Sequence, residues 1–219
     1  QRQAMFSVVD FDGTNDYITV ADNDSLDVGT SDFTLSAWVN LSDASENYIF
    51  SKGDGTNHYS LRLNGSRRIS YEFNVTGETS TSVTDDGTQL TLGQWHHIAC
   101  VFDRSGNSYR YVDGVNTGTN DSISDYSASI STSDALNIGR KYSGHHYFDG
   151  SIASASIYIG TAKSAEEIYA IYQQGITYDE SSETSLVAYY RMGDDTSAVF
   201  NTIADSSSNS NDGTMTSMA

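Results

Sequence analysis

Apolar and polar residues alternate with a period of two along most of the first 160 positions. The runs FTLSAWVNL (33–41), YIFSK (48–52), YSLRL (59–63) and ISYEFNV (69–75) are rich in β-branched and aromatic residues. So are HHIACVF (96–102), YRYVDGV (109–115), ALNIG (135–139) and SIASASIYI (151–159). Gly, Asn, Asp and Ser bound each run, and this spacing predicts short β-strands. Asp113-Gly114 between two such runs is a strong hairpin signal, and Asn64-Gly65 marks another turn. Regular short strands with polar turns predict an all-β fold, a two-sheet antiparallel sandwich.

The period changes once, in KSAEEIYAIYQQGI. Ser164 and Glu167 have capping-box spacing, and Glu166 and Glu167 sit at the positive end of the helix dipole. Ile168, Ile171 and Tyr172 share a face, and Gly175 supplies the stop. This predicts one short helix near 164–175, lying on the sandwich. Beyond it, DESSETS (179–185) reads as a solvated linker, LVAYYRM as another strand, and DSSSNSNDGTM as a turn-rich tail. Residues 1–178 therefore form the jelly roll, and 179–219 are expected to close the same sandwich in cis, since an unpaired strand would expose an edge. Residues 1–178 contain no internal repeat.

Charge narrows the function classes. The net charge is −18, with 29 acidic and 11 basic residues. Nucleic acid and anionic membranes would be repelled, whereas divalent cations are permitted. No stretch is long and apolar enough to span a membrane. The single cysteine, Cys100, lies in an apolar run and is expected to be a buried small hydrophobe. The chain starts with Gln, which suggests a mature form or part of something longer.

The order FDGTNDYITV, DFTLSAWVN, SKGDG, GQWHHIACVFD, YVDGV, LNIG, FDGSIASASIY, SAEEIYAIY resembles the laminin-G-like domains of the concanavalin A-like lectin/glucanase superfamily, over about residues 6 to 175. The resemblance implies a jelly roll of two antiparallel sheets. The tail LVAYYRMGDD with SNSNDGTM resembles segments found in structural proteins of marine bacteriophages, a looser likeness. Many relatives carry a calcium-associated acid in the strand after FxG; here Ala153 stands in that place.

Glucanases of the superfamily carry paired carboxylates on one strand face, at the separation that glycoside cleavage needs. None of the seven glutamates (46, 72, 78, 166, 167, 180, 183) has such a strand partner, and Glu72 is the only one inside a convincing strand. The chain lacks G-x-S-x-G, a P-loop and H-E-x-x-H. His96 and His97 are strand neighbours that point to opposite faces, so they cannot grip one ion together. A β-glucanase-like activity is thus disfavoured.

The stretch VVDFDGTNDYITV (8–20) leaves two readings open. Its acids are a calcium cage, with Asp10, Asp12 and Asp149 as metal ligands and the loop acids Asp22, Asp24 and Asp27 next. Alternatively, Asp12-Gly13 and Asn15-Asp16 form only the turn between two strands. Candidate ligand-binding residues combine aromatic rings with planar polar groups, as sugar recognition requires: Asp54, Asn57, His58, Tyr59, Arg67, Arg68, Arg140, Tyr142, His145 and His146. Tyr48, Tyr71, Tyr109 and Tyr147 also lie beside polar loops. Trp38 and Trp95 are expected in the core. Arg67-Arg68 and Arg140-Lys141, as the exposed basic spots, would suit acidic sugars or a partner's carboxylates.

The expected function is a non-catalytic, lectin-like module on an extracellular or virion surface, binding glycan or serving adhesion, with calcium as a candidate cofactor. The alternative is a virion decoration, tail or capsid protein acting through protein–protein contacts with other surface proteins, as a homo-oligomer or as part of a larger assembly.

Overall fold

The computed structural model describes residues 7–75, 81–83, 86–193 and 201–218. In chain order the strands are β1 (Val9–Asp12), β2 (Tyr17–Val20), β3 (Phe33–Leu41), β4 (Asn47–Gly53), β5 (His58–Leu63), β6 (Ile69–Asn74), β7 (Thr81–Val83) and β8 (Trp95–Phe102). There follow β9 (Asn107–Val112), β10 (Val115–Asn116), β11 (Asp121–Ser122), β12 (Leu136–Ile138) and β13 (Asp149–Ile159). After the helix α1 (Ala165–Gln174) come β14 (Leu186–Tyr190), β15 (Thr202–Ile203) and β16 (Gly213–Thr216).

These strands make two antiparallel sheets, a jelly-roll sandwich. The first sheet runs β1-β13-β3-β8-β9-β10, with β11 also on β9 and β14 also on β13. The second runs β15-β16-β2-β12-β4-β5-β6-β7. One edge of β13 is shared: β1 pairs with Asp149–Ile152 and β14 with the stretch from Ala155 to Tyr158. β16 pairs with β2 in the other sheet. The tail thus adds β14 to the first sheet and β15 and β16 to the second, and covers two edges that would otherwise template foreign pairing.

The core lies between the sheets. Phe33 stacks on Phe102 at 4.1 Å, and Tyr71 meets Phe102 edge-on at 4.8 Å. Leu35, Leu61, Ile98, Ile138 and Ile152 are fully buried around them. Tyr71, placed beside a loop by its sequence, belongs here, with its hydroxyl 2.6 Å from Ser108 Oγ. Cys100 is buried and unpaired, and burial pushes its thiol up to about 12, so it is unreactive.

The predicted turns take definite forms. Asp113 and Gly114 both have positive φ (51° and 76°), joining β9 to β10 in a tight hairpin. The β5–β6 connection is longer than the Asn-Gly pair suggests. Asn64 Oδ1 accepts from the Ser66 and Arg68 amides, and Arg67 takes a left-handed φ of 59°.

The outer face of the first sheet is sealed. Direct partners across β3 and β8 put Thr34, Ser36 and Trp38 beside Val101, Ala99 and His97 on that face. The helix carries its predicted capping box and lays Ile168 on Ala99, Val101 and Tyr111. Tyr172 stacks over Trp38 at 5.8 Å. Trp38 is therefore buried under the helix and not between the sheets, and Trp95 is only half-buried. The 179–185 segment is largely exposed, as a linker should be, but one of its acids is not. It forms a short 3-10 turn, Glu180–Ser182, whose Glu180 carboxyl is fully buried and accepts from the hydroxyls of Tyr158 and Ser154 (3.0 Å for the latter). Burial holds that carboxyl above its usual range despite these donors.

Candidate functional site

The outer face of the second sheet is different. The polar residues of β5 and β6 alternate with core residues, so His58, Ser60 and Arg62 line up outward beside Asn74, Glu72 and Ser70. Tyr48 of β4 lies directly opposite Arg62 on that face. Over them folds the loop between β12 and β13, residues 139–148. It is pinned where the Tyr142 amide donates to Ser51 Oγ at 2.9 Å, and it closes on itself from the Lys141 amide to the His145 carbonyl at 3.0 Å.

A charged and aromatic cluster results. Glu72 accepts from the Tyr48 hydroxyl at 3.1 Å, lies 3.3 Å from Lys141 Nζ and 3.5 Å from Arg62 Nε, and faces His58 Nε2 at 4.0 Å. Arg62 also donates to Glu46, which pairs with His146 Nδ1 at 3.3 Å. The Tyr142 ring lies 5.0 Å from that of His58, and the His146 ring 5.8 Å from Tyr48. Burial opposes ionisation of Glu72, but Arg62 and Lys141 outweigh it and hold the carboxyl below its usual range. Burial likewise holds the His58 imidazole below its usual range, with Glu72 pulling the other way. Tyr48 is covered completely, whereas Tyr142 is half-buried and His145 and His146 are exposed.

Of the sequence-predicted ligand residues, the structure gathers His58, Tyr142 and His146 here. His145 stands at the tip of the same loop. Asp54 and Asn57 form the adjacent β4–β5 turn, where Asp54 Oδ1 accepts from the Thr56 and Asn57 amides. Arg140 sits to one side, its guanidinium 3.4 Å above the Tyr17 ring and its Nε on Asn137 at 2.9 Å. Two predictions need correction. Tyr59 faces the core, 1% exposed, with its hydroxyl on the Leu26 carbonyl at 3.0 Å, so it can touch no ligand. Arg67 and Arg68 lie in the turn at the opposite end of β5 from His58, outside the cluster. Glu72 is not a lone outward acid. Together with Glu46 and Arg62 it makes up what sequence reasoning missed, although the alternation of YSLRL and ISYEFNV across an Asn-Gly turn already places 62 and 72 on one face. Glu78 lies outside the described residues.

Of the aspartates of 8–20, Asp12 and Asp16 hold the turn, whereas Asp10 lies in β1. Asp12 Oδ1 accepts from the amides of Thr14 (2.8 Å), Asn15 (3.0 Å) and Asp16 (3.3 Å). These bonds, that of Asn15 foremost, lower its pKa. Gly13 follows with φ +70°, and Asp149 packs so closely that a Cβ there would lie 2.8 Å from its side chain. Asp10 accepts instead from Ser151 Oγ. Asp149 is cross-strand from Asp12, and burial, then Asp43 and Asp12, raise its carboxyl. Among the described residues no three His, Cys, Asp or Glu side chains stand together as a metal group.

The loop acids have another cation. Lys52 projects inward from β4, fully buried, with Nζ 2.6 Å from Asp22 Oδ1 and 3.4 Å from Asp27 Oδ1. The same ammonium donates to the Thr132 and Asp134 carbonyls at 2.8 and 2.9 Å. Beside it a shallow cleft of about 190 Å³ runs along Val20–Asn23 and Ser210–Asp212. That cleft has no aromatic lining and lies apart from the loop cluster.

A two-sheet jelly roll with one capping helix and a polar outer face is the architecture of lectin-like modules. The chain belongs to the laminin-G-type family described as the concanavalin A-like lectin/glucanases superfamily, whose model matches residues 12–169. No curated protein matches it in sequence. Among solved structures, a Bacteroides ovatus protein provisionally described as carbohydrate binding superposes with a TM-score of 0.71 at 18% identity, covering 98% of this chain. The chain spans 59% of that protein's length. A heptameric SAP-like pentraxin from Limulus polyphemus gives 0.59 at 15% identity, over 78% of this chain and 84% of the pentraxin. The CBM40 of the Ruminococcus gnavus IT-sialidase, solved with α2,3 sialyllactose, gives 0.55 at 15% identity, over 75% and 97%. At these identities the likeness is one of fold. Among the described residues no helix is long and apolar enough to cross a membrane.

Proposed function

We propose that the chain is a non-catalytic glycan-binding module of an extracellular or virion surface, and that glycan lies on the outer face of the second sheet against the 139–148 loop. The observation that carries this is the cluster itself: a half-buried tyrosine and exposed histidines held over fixed carboxylates, an ammonium and a guanidinium. Rings for the C–H face of a sugar and planar acceptors for its hydroxyls then stand on one surface. The carbohydrate-binding descriptions of two structural neighbours support the reading.

The same cluster argues against glycoside hydrolysis. A general acid needs a raised pKa, and Glu72 is held low by Arg62 and Lys141 against its burial. Among the described residues the one carboxyl raised by full burial, Glu180, is sealed on the other sheet.

A glycan microarray tests the assignment. Tyr142→Ala and His146→Ala are expected to abolish the signal of the parent chain, whereas Arg67→Ala retains it. Retention in the first two and loss in the third would move the site to the β5–β6 turn. A second reading, surface decoration through protein contacts, draws on Val115 and Tyr169, exposed at 63% and 49% where the β9–β10 hairpin meets the helix. Copurification with a partner assembly, lost on Val115→Asp, would favour it.

A further inference from the structure

Lysines and arginines suggest at first sight an acidic ligand, but their positions say otherwise. Among the described residues five cations are buried: Lys52, Arg62, Arg104, Arg110 and Lys163. All but Arg62 tie loops or the helix side of the fold together; Arg104, for example, holds the Tyr126 and Ala128 carbonyls at 2.7 Å. The cations at the loop cluster are also engaged. Arg62 is shared by Glu46 and Glu72, and Lys141 is paired with Glu72 at 3.3 Å. Arg140 is laid flat on Tyr17 and bonded to Asn137.

We infer that this face takes a neutral saccharide and discriminates against uronates and sialosides. The inference rests on the glycan-binding reading and names the class of ligand. Glu46 and Glu72 keep side-chain exposures of 29% and 20%, so their oxygens can accept sugar hydroxyls, and Lys141, at 21%, can donate. Carboxylates bonded to neutral hydroxyls are well satisfied. A sugar carboxylate in the same place would meet Glu46, Glu72 and the nearby Asp54 before it met an unengaged cation. Like charges at such range disfavour binding, and a protein of net negative charge adds repulsion at distance. A site built for anions keeps a forked guanidinium open for bidentate contact; here Arg62 is 6% exposed and committed to its own glutamates.

The test is calorimetric titration of the whole chain at low salt with neutral gluco-, galacto- and manno-oligosaccharides, each against its uronate of equal length, and with lactose against sialyllactose. The expected result is binding of at least one neutral member, with its acidic counterpart about tenfold weaker or more. Glu72→Gln should raise the acidic-to-neutral affinity ratio about fivefold by leaving Lys141 and Arg62 short of a partner. Glu46→Gln, nearer the rim, is the milder variant should Glu72→Gln fold poorly. Acidic members binding as tightly as neutral ones would overturn the neutral preference and leave the glycan reading standing. Binding of neither class would overturn both. A ratio unmoved in both folded variants would overturn the placement of the selectivity on these two glutamates.

Discussion

The two outer faces of this sandwich have opposite fates. Both are built by period-two strands whose outward residues are mostly polar or small. On the first sheet a helix and a 3-10 turn cover the face, and its polar groups pair internally: Ser36 Oγ with His97 Nε2 at 2.9 Å, Glu180 with Tyr158 and Ser154. On the second a single loop covers only β4 to β6 and leaves rings and charges at its margin. The difference teaches that polarity in a strand does not report exposure. What is laid over the strand decides whether its polar groups act as mortar or as a surface.

The sharpest way to break this contrast is to remove the seal. Trp38→Ala takes away the ring on which Tyr172 stacks, and is expected to cost about 3–5 kcal/mol in urea unfolding, as for other buried large-to-small changes. A cost under about 1 kcal/mol would show that the helix merely rests on the sheet.

Next is pH. Burial lowers the His97 pKa from 6.5 to about 4, with Asp113 opposing. The imidazole is thus neutral when folded and takes up its proton on unfolding. Its contribution is full above pH 6.5 and is lost as pH falls towards 4, a loss of about 3 kcal/mol at about 1.4 kcal/mol per unit. Glu180, raised by burial, acts in the opposite sense, stabilising as pH falls. The check is therefore the difference between the parent and His97→Gln: the gap in unfolding free energy between pH 7 and pH 4 should shrink in the variant, and an unchanged gap would reject the assignment.

On the open face the effect on stability should be small. Tyr142→Ala is expected to change unfolding by only about 0.5 kcal/mol, even where it abolishes the proposed glycan signal. A cost like that of Trp38→Ala would make the loop a seal too. Smallest of all is the ion effect. Calcium against EDTA is expected to move Tm by less than about one degree, because a folded-state ion would act by mass action. A rise of several degrees would restore the cage, with backbone oxygens completing it.

Much of the scaffold was legible in the alternation, the Asp113-Gly114 hairpin and the Ser164–Glu167 box, because these signals are local. The turn role of Asp12 was one of two open readings, since Asp-Gly chemistry is the same with or without an ion. The site was only partly legible. His58, Tyr142 and His146 were on the page as isolated rings beside loops, but their meeting depends on where the 139–148 loop lies, and sequence distance hides that. Arg62 and Glu72 needed the strand register. Tyr59 went wrong because a one-residue step along β5 exchanges outside for inside. Glu180 went wrong because a polar segment, DESSETS, hid one acid that hydroxyls on another strand could satisfy.

Lys52 gives the acidic loops a counter-ion that belongs to the chain. Two carboxylates and two carbonyls converge on its ammonium, a set of oxygens that could equally greet a dissolved cation. A covalently leashed charge cannot be stripped by a chelator or diluted away, and it arrives with every copy synthesised. Such a molecule carries its own salt, and the counter-charge for that join is supplied at translation.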